Sequence, residues 1–159
     1  MLTAHLPAGY CLVRAVGGNA TLMLPAALLG AVAPDIDMIF FYLVDGGAVH
    51  HHRYWTHIPF FWLAAAAIAL PVLARTRYFP ACVAFFSAVF LHLSLDSIAG
   101  SIMWLYPFSD RPLELVTVPP TRSHWVWSFV FHWTFAFEIA IWVAALALWV
   151  TRTRRVRDQ

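Results

Sequence analysis

The chain has 159 residues, of which 62% are hydrophobic and only 11% charged, with a formal net charge of +2. Soluble domains carry about a quarter of their residues as charges, so this composition cannot clothe a soluble surface, and a bilayer is its natural solvent. The small positive charge is carried by Arg alone and is too weak to support a nucleic-acid-binding role.

In chain order, Thr3 to Val16 reads as a short helix, and Gly17, Gly18 and Asn19 give a turn signal. Thr21 to Ala33 then reads as a second short helix stopped by Pro34, completing a helical hairpin that places His5 and Asp35 at one end. Met38 to Val44 continues apolar up to Asp45-Gly46-Gly47. Three later segments are apolar enough to cross a bilayer, which takes about 20 residues: Ile58 to Ala74, Phe79 to Tyr106 and Val126 to Val150. The expected fold is therefore all-α, a polytopic membrane bundle of three transmembrane helices plus the N-terminal hairpin. It forms one domain over 1–159, without repeat or linker. The N-terminus lacks a positive run and Arg14 interrupts its apolar region, so no secretory signal is expected. Cys11 and Cys82 read as small buried residues.

Arginine placement sets the orientation. Arg75, Arg77 and the tail Arg152, Arg154, Arg155 and Arg157 mark the cytoplasmic side, with Arg14 at the hairpin turn in agreement. His50 to His57 and the loop Pro107 to Ser123 then face the opposite, periplasmic side. His92 and Asp96 are spaced i, i+4 and share a helix face late in their span. His52 and His57 precede their span at the same level, and Asp35, Asp37 and His5 close the hairpin there. An Asp inside a membrane helix is costly unless it is paired, meets water or holds a metal. His5, Asp35, Asp37, His52, His57, His92 and Asp96 are more ligands than one tetrahedral ion needs, so a centre of two or more ions is expected. The donors suit zinc first, with manganese or iron as alternatives.

Other polar residues have plainer readings. His50 and His51 read as a solvated run, and His124, beside Trp125 and Trp127, as an interfacial anchor. His132 is balanced between packed residue and ligand. Glu138, on a different face, reads as support for the helix or for the ligands from behind. The Arg-rich tail reads as a topology signal meeting anionic lipid.

The order of Pro34-Asp35-Ile36-Asp37, His52-Arg53-Tyr54-Trp55-Thr56-His57, His92-Leu93-Ser94-Leu95-Asp96 and Leu105-Tyr106-Pro107-Phe108-Ser109 resembles the YdjM-like family of inner-membrane, metal-dependent hydrolases. That family shows an early His, a PDxD element, HRGxTHS, HxxxD, and a Gly followed by (Y/W)PF. The match runs from His5 to about Ser109, with Tyr54 in place of the usual Gly and Ile58 in place of the usual Ser. A weaker similarity, through the HxxxD pair and an early ligand, is to zinc-dependent phospholipase C and nuclease P1 enzymes. The resemblance implies a hydrolase in a bacterial inner membrane. A phosphoester, lipid or lipid-linked, is the expected substrate. Asp37 serves as bridging ligand or as base for the attacking water, and Arg53 holds a phosphate oxygen, with Arg111 and Arg122 as weaker headgroup candidates. The competing expectation is an ion or metal transporter, or a metal-binding membrane protein without catalysis.

Overall fold

A computed structural model describes residues 1–17 and 20–157; the side chains of Ala20 and residues 155–157 lie outside that description, as do Gly18 and Asn19 of the expected turn. Among the described residues seven α-helices follow one another: α1 (His5–Val16), α2 (Ala20–Val32), α3 (Asp37–Leu43), α4 (Pro59–Leu73), α5 (Phe79–Ala99), α6 (Trp125–Val130) and α7 (Phe135–Arg157). Short 3₁₀ turns occupy Pro34–Ile36, His51–Arg53 and Trp55–His57. Among the described residues the only β pairing is an isolated bridge, Ile102 to Leu113, that closes the loop after α5. The fold is all-α, as expected.

α1 and α2 form the N-terminal hairpin. Gly17 ends α1 at φ 71°, a left-handed conformation that glycine adopts without a Cβ clash. α2 packs along α5, and α1 bridges α2 to α7. The buried seam is built from Val13, Met23, Ala27, Ala31, Ala84 and Ala88. In lipid, helices gain little from hydrophobic burial and associate through close packing, which small residues permit. Gly30 shows how close: a Cβ there would lie 2.2 Å from the Phe85 carbonyl oxygen.

The spans differ from the sequence reading in three places. Two helices, Phe79–Ala99 and Phe135–Arg154, are long and apolar enough to cross a membrane, and a third crossing is made if α2 and the 50° bent continuation Pro34–Leu43 count as one. The expected span at 58–74 is the 15-residue α4, about 22 Å long against a hydrocarbon core of about 30 Å. Its bounds match the expectation to within a residue at each end; it is the length that falls short, because the Trp55–His57 turn just before it keeps the helix from extending toward the site. The expected span at 126–150 is broken: α6 stops at Val130, and α7 starts at Phe135. His132 caps the break, its Nδ1 lying 2.9 Å from Thr134 Oγ1. The span beginning at Phe79 ends at Ala99, not Tyr106, because Gly100 turns extended. The carbonyls of Ser97 and Ile98 in the last turn then accept from the Leu115 and Val116 N–H groups at 2.9 Å. Cys11 and Cys82 are free and half-buried rather than buried.

Candidate metal centre

The hairpin, the His51–His57 turns and the end of α5 meet at one end of the bundle. Asp96, 2% exposed on α5, is the hub. Its Oδ2 lies 3.0 Å from His92 Nε2, 3.5 Å from His57 Nε2 and 3.7 Å from His52 Nε2, and its Oδ1 lies 3.2 Å from His5 Nε2. Asp35 Oδ1 approaches from the hairpin, 3.6 Å from His92 Nε2 and 3.8 Å from His57 Nε2. The structure therefore brings His5, Asp35, Asp37, His52, His57, His92 and Asp96 into one cluster.

The far sides of two rings explain why these atoms face one another. His92 Nδ1 is 2.7 Å from the Ala31 carbonyl oxygen, which accepts only from an N–H. This assigns the proton to Nδ1 and turns the Nε2 lone pair inward. His57 Nδ1 is hydrogen-bonded to Asp37 Oδ2, which also accepts from Thr56 Oγ1 at 3.0 Å. Asp37, fully buried, thus orients a histidine in the manner of the carboxylate–histidine pairs behind metal ligands. Its other oxygen, Oδ1, has no hydrogen-bond partner, nor do His51 Nδ1, His52 Nδ1 or His5 Nδ1. Trp62 Nε1 holds the turn from outside, donating to the Thr56 carbonyl at 2.7 Å.

Burial, opposed chiefly by the Asp96 charge, pushes the His52 imidazole down to about 2, and burial likewise pushes His51 to about 4. Burial also works against a charged His57, but hydrogen bonds to Asp37 and Asp96 outweigh it and raise the group to about 9.

Among the described residues four overlapping sets each offer ligand atoms within 4.8 Å of one another: His5, His92 and Asp96; His52, His57 and Asp96; Asp35, Asp37, His51 and His57; and, at the exposed edge, His50, His51 and His52. His51 is a correction to the sequence reading. It is 27% exposed, and its Nδ1 stands 3.9 Å from Asp37 Oδ1, inside the cluster and not in solvent. A three-residue-per-turn segment aims consecutive side chains in three directions, so the turn itself selects His51 and His52. Together with Asp35, 37% exposed, His51 forms the open wall of the centre.

Arg53 is exposed beside buried His52, and no described carboxylate lies within ion-pairing distance of it. Tyr54 donates to Asp45, tying the Gly46–Gly47 turn to the histidine turn. His124 accepts from the Val126 N–H at 3.3 Å and caps α6, outside the cluster.

Described residues that form helices and no strand, two or three of those helices apolar enough to cross a bilayer, and a buried His/Asp cluster that could hold a metal ion define a membrane protein. The chain belongs to the YdjM inner membrane protein family, whose model matches residues 1–157. No curated protein and no solved structure matches it.

Proposed function

We propose that this protein is a metal-dependent hydrolase of phosphoesters carried on lipid or lipid-linked molecules, with its centre at the non-cytoplasmic face. The observation that supports it is the meeting of His57 Nε2, His92 Nε2, Asp35 Oδ1 and Asp96 Oδ2 within 3.0–3.8 Å, with the ring N–H of His92 directed away. Donor atoms from three segments so placed converge on one point where a cation could stand once His57 gives up its proton, and Asp37 Oδ1 and His51 Nδ1, which have no hydrogen-bond partner, point to a second position. His, Asp and their spacing suit zinc, with manganese or iron as alternatives. Bound there, such ions polarise a phosphoryl oxygen and acidify a water.

The residues divide the remaining work. His5, His52, His57, His92, Asp35 and Asp96 hold the ions. Asp37 keeps His57 in place, and its free Oδ1 is the candidate bridging ligand or proton acceptor. Arg53 has a guanidinium free to meet a phosphate in bidentate geometry. Below the cluster the spans are Ala, Leu, Val, Ile and Phe with few polar groups, which favours a one-sided site over a conduit. The test is turnover of a panel of phospholipids and soluble phosphoesters by purified protein, with and without chelator, beside metal flux in proteoliposomes. Chelator-sensitive turnover without flux supports the reading; flux without turnover overturns it.

Two further results are expected. His57 stays protonated up to about pH 9 when no metal holds it. A ligating imidazole must be neutral, so metal uptake displaces that proton. Affinity should rise with pH up to about 9 and then level. Calorimetry in buffers of different ionisation enthalpy reads the released proton, and a flat profile across that window would count against His57 as ligand. Gly100→Ala should act on His52: a Cβ at Gly100 would lie 2.5 Å from His52 Cε1 and 3.0 Å from its Nδ1. The ring must swing off Asp96, and metal affinity should fall roughly 10–100-fold, the loss that disturbing a ligand's support brings.

A further inference from the structure

One buried carboxylate lies outside every ligand set. Glu138, in the first turn of α7, is fully buried, and among the described residues no cation pairs with it. Its partners are the main chain of the segment that leads into α1. Oε1 accepts from the Leu2 N–H, while Oε2 accepts from the Thr3 N–H at 2.8 Å and the Thr3 hydroxyl at 2.7 Å. Trp142, one turn further along α7, donates from its indole to the same hydroxyl at 3.1 Å.

We infer that Glu138 is a positioning residue for the metal centre, holding the segment before α1 so that His5 is presented to Asp96. The inference rests on the metal reading proposed above. It starts from a contrast among the histidines. His92 and His57 are each oriented by a hydrogen bond at Nδ1, to the Ala31 carbonyl and to Asp37. His5 has none; its Nδ1 is buried and unpartnered. Its ring stacks on His92, 3.7 Å between centroids, and its Nε2 faces Asp96 at 3.2 Å. Stacking permits sliding, and the Asp96 contact fixes one atom of the ring, so its orientation also draws on the main chain before it, held at Leu2 and Thr3 by Glu138 and at the Met1 ammonium by Asp96 Oδ1, 2.5 Å away. α1 brings no help of its own: Ala4 offers no capping side chain, and the first turn holds no acidic residue. Helix N-termini leave N–H groups unpaired and favour a nearby negative charge. Glu138 supplies that charge from another helix and anchors the two N–H groups just ahead of the turn. A carboxylate inside a membrane helix is expensive to keep; here both its oxygens are spent on one segment.

The experiment is a double-mutant cycle read as zinc affinity, by competition with a chromophoric chelator. It uses the full chain in detergent as wild type, E138A, H5A and E138A/H5A, with E138Q alongside and the thermal unfolding of each metal-free form recorded. H5A should weaken zinc binding. E138A should weaken it by a comparable factor, roughly 10–100-fold as for other supports of ligands. The double variant should be no weaker than H5A alone, because coupled residues are not additive. E138Q, which keeps one accepting oxygen, should fall between wild type and E138A, and it carries the test if E138A does not fold. Losses that multiply in the double variant, or wild-type affinity in E138A or E138Q while H5A is impaired, overturn the inference and leave the metal reading standing. Wild-type affinity in H5A removes both His5 as ligand and this role for Glu138.

Discussion

Replacing His92 by alanine is expected to abolish tight metal binding. His92 Nε2 is within 3.0 Å of Asp96 Oδ2, 3.4 Å of His57 Nε2 and 3.6 Å of Asp35 Oδ1, so it faces ligands from all three contributing segments. Its ring is also the surface on which His5 stacks. Losing an outer support costs roughly 10–100-fold in affinity; losing this ligand removes a donor and frees a second histidine, so the fall should exceed that range. Chelator competition on the purified variant checks it. The variant should stay folded, because the apolar α2–α5 seam of Ala27, Ala31, Ala84 and Ala88 is untouched and only the hydrogen bond from the imidazole to the Ala31 carbonyl is lost. Unchanged affinity in a folded His92→Ala protein would remove the centre as drawn.

The largest effect on the fold is expected at Gly30. An added Cβ would stand 2.2 Å from the Phe85 carbonyl oxygen and 3.2 Å from Ala88 Cβ, so Gly30→Ala cannot be absorbed by a side-chain rotation and must part α2 from α5. Overpacking of this kind costs about 1–3 kcal/mol and sometimes more. The next residue, Ala31, carries the carbonyl that orients His92. Metal affinity should therefore fall together with stability. Ala65→Val on the exposed face of α4 is the matched control and should stay within about 0.5 kcal/mol. Thermal unfolding in detergent separates the two. Equal stability of Gly30→Ala and the control would mean the helices are not as closely packed as described.

Much of this arrangement could be read from residue order. The i, i+4 spacing of His92 and Asp96 needs only helix geometry. The glycine turn at Gly17 and the stop at Pro34 were enough to fold a hairpin and put His5 beside Asp35. Other features depend on geometry that a sequence does not carry. His50, His51 and His52 are chemically alike, and only the course of the turn separates a ligand position from an exposed one. The role of Glu138 was hidden because its partners are main-chain N–H groups, which every residue but proline has. Hydropathy also overran the true helices at 79–106 and 126–150, since Trp, Phe and Ile serve equally in a span, an interfacial turn or a loop. Tyr54, a departure from the family pattern, acquires a reason only once Asp45 is seen opposite its hydroxyl.

The central claim is that the His/Asp cluster is a metal centre, and metal stoichiometry tests it most directly. Protein purified in detergent, equilibrated with zinc, manganese or ferrous iron and freed of loosely bound ions, should retain at least one divalent ion per chain by elemental analysis. His92→Ala protein treated alongside should retain none. Less than one ion per chain in the wild type with every metal, or equal retention by the variant, would contradict the account.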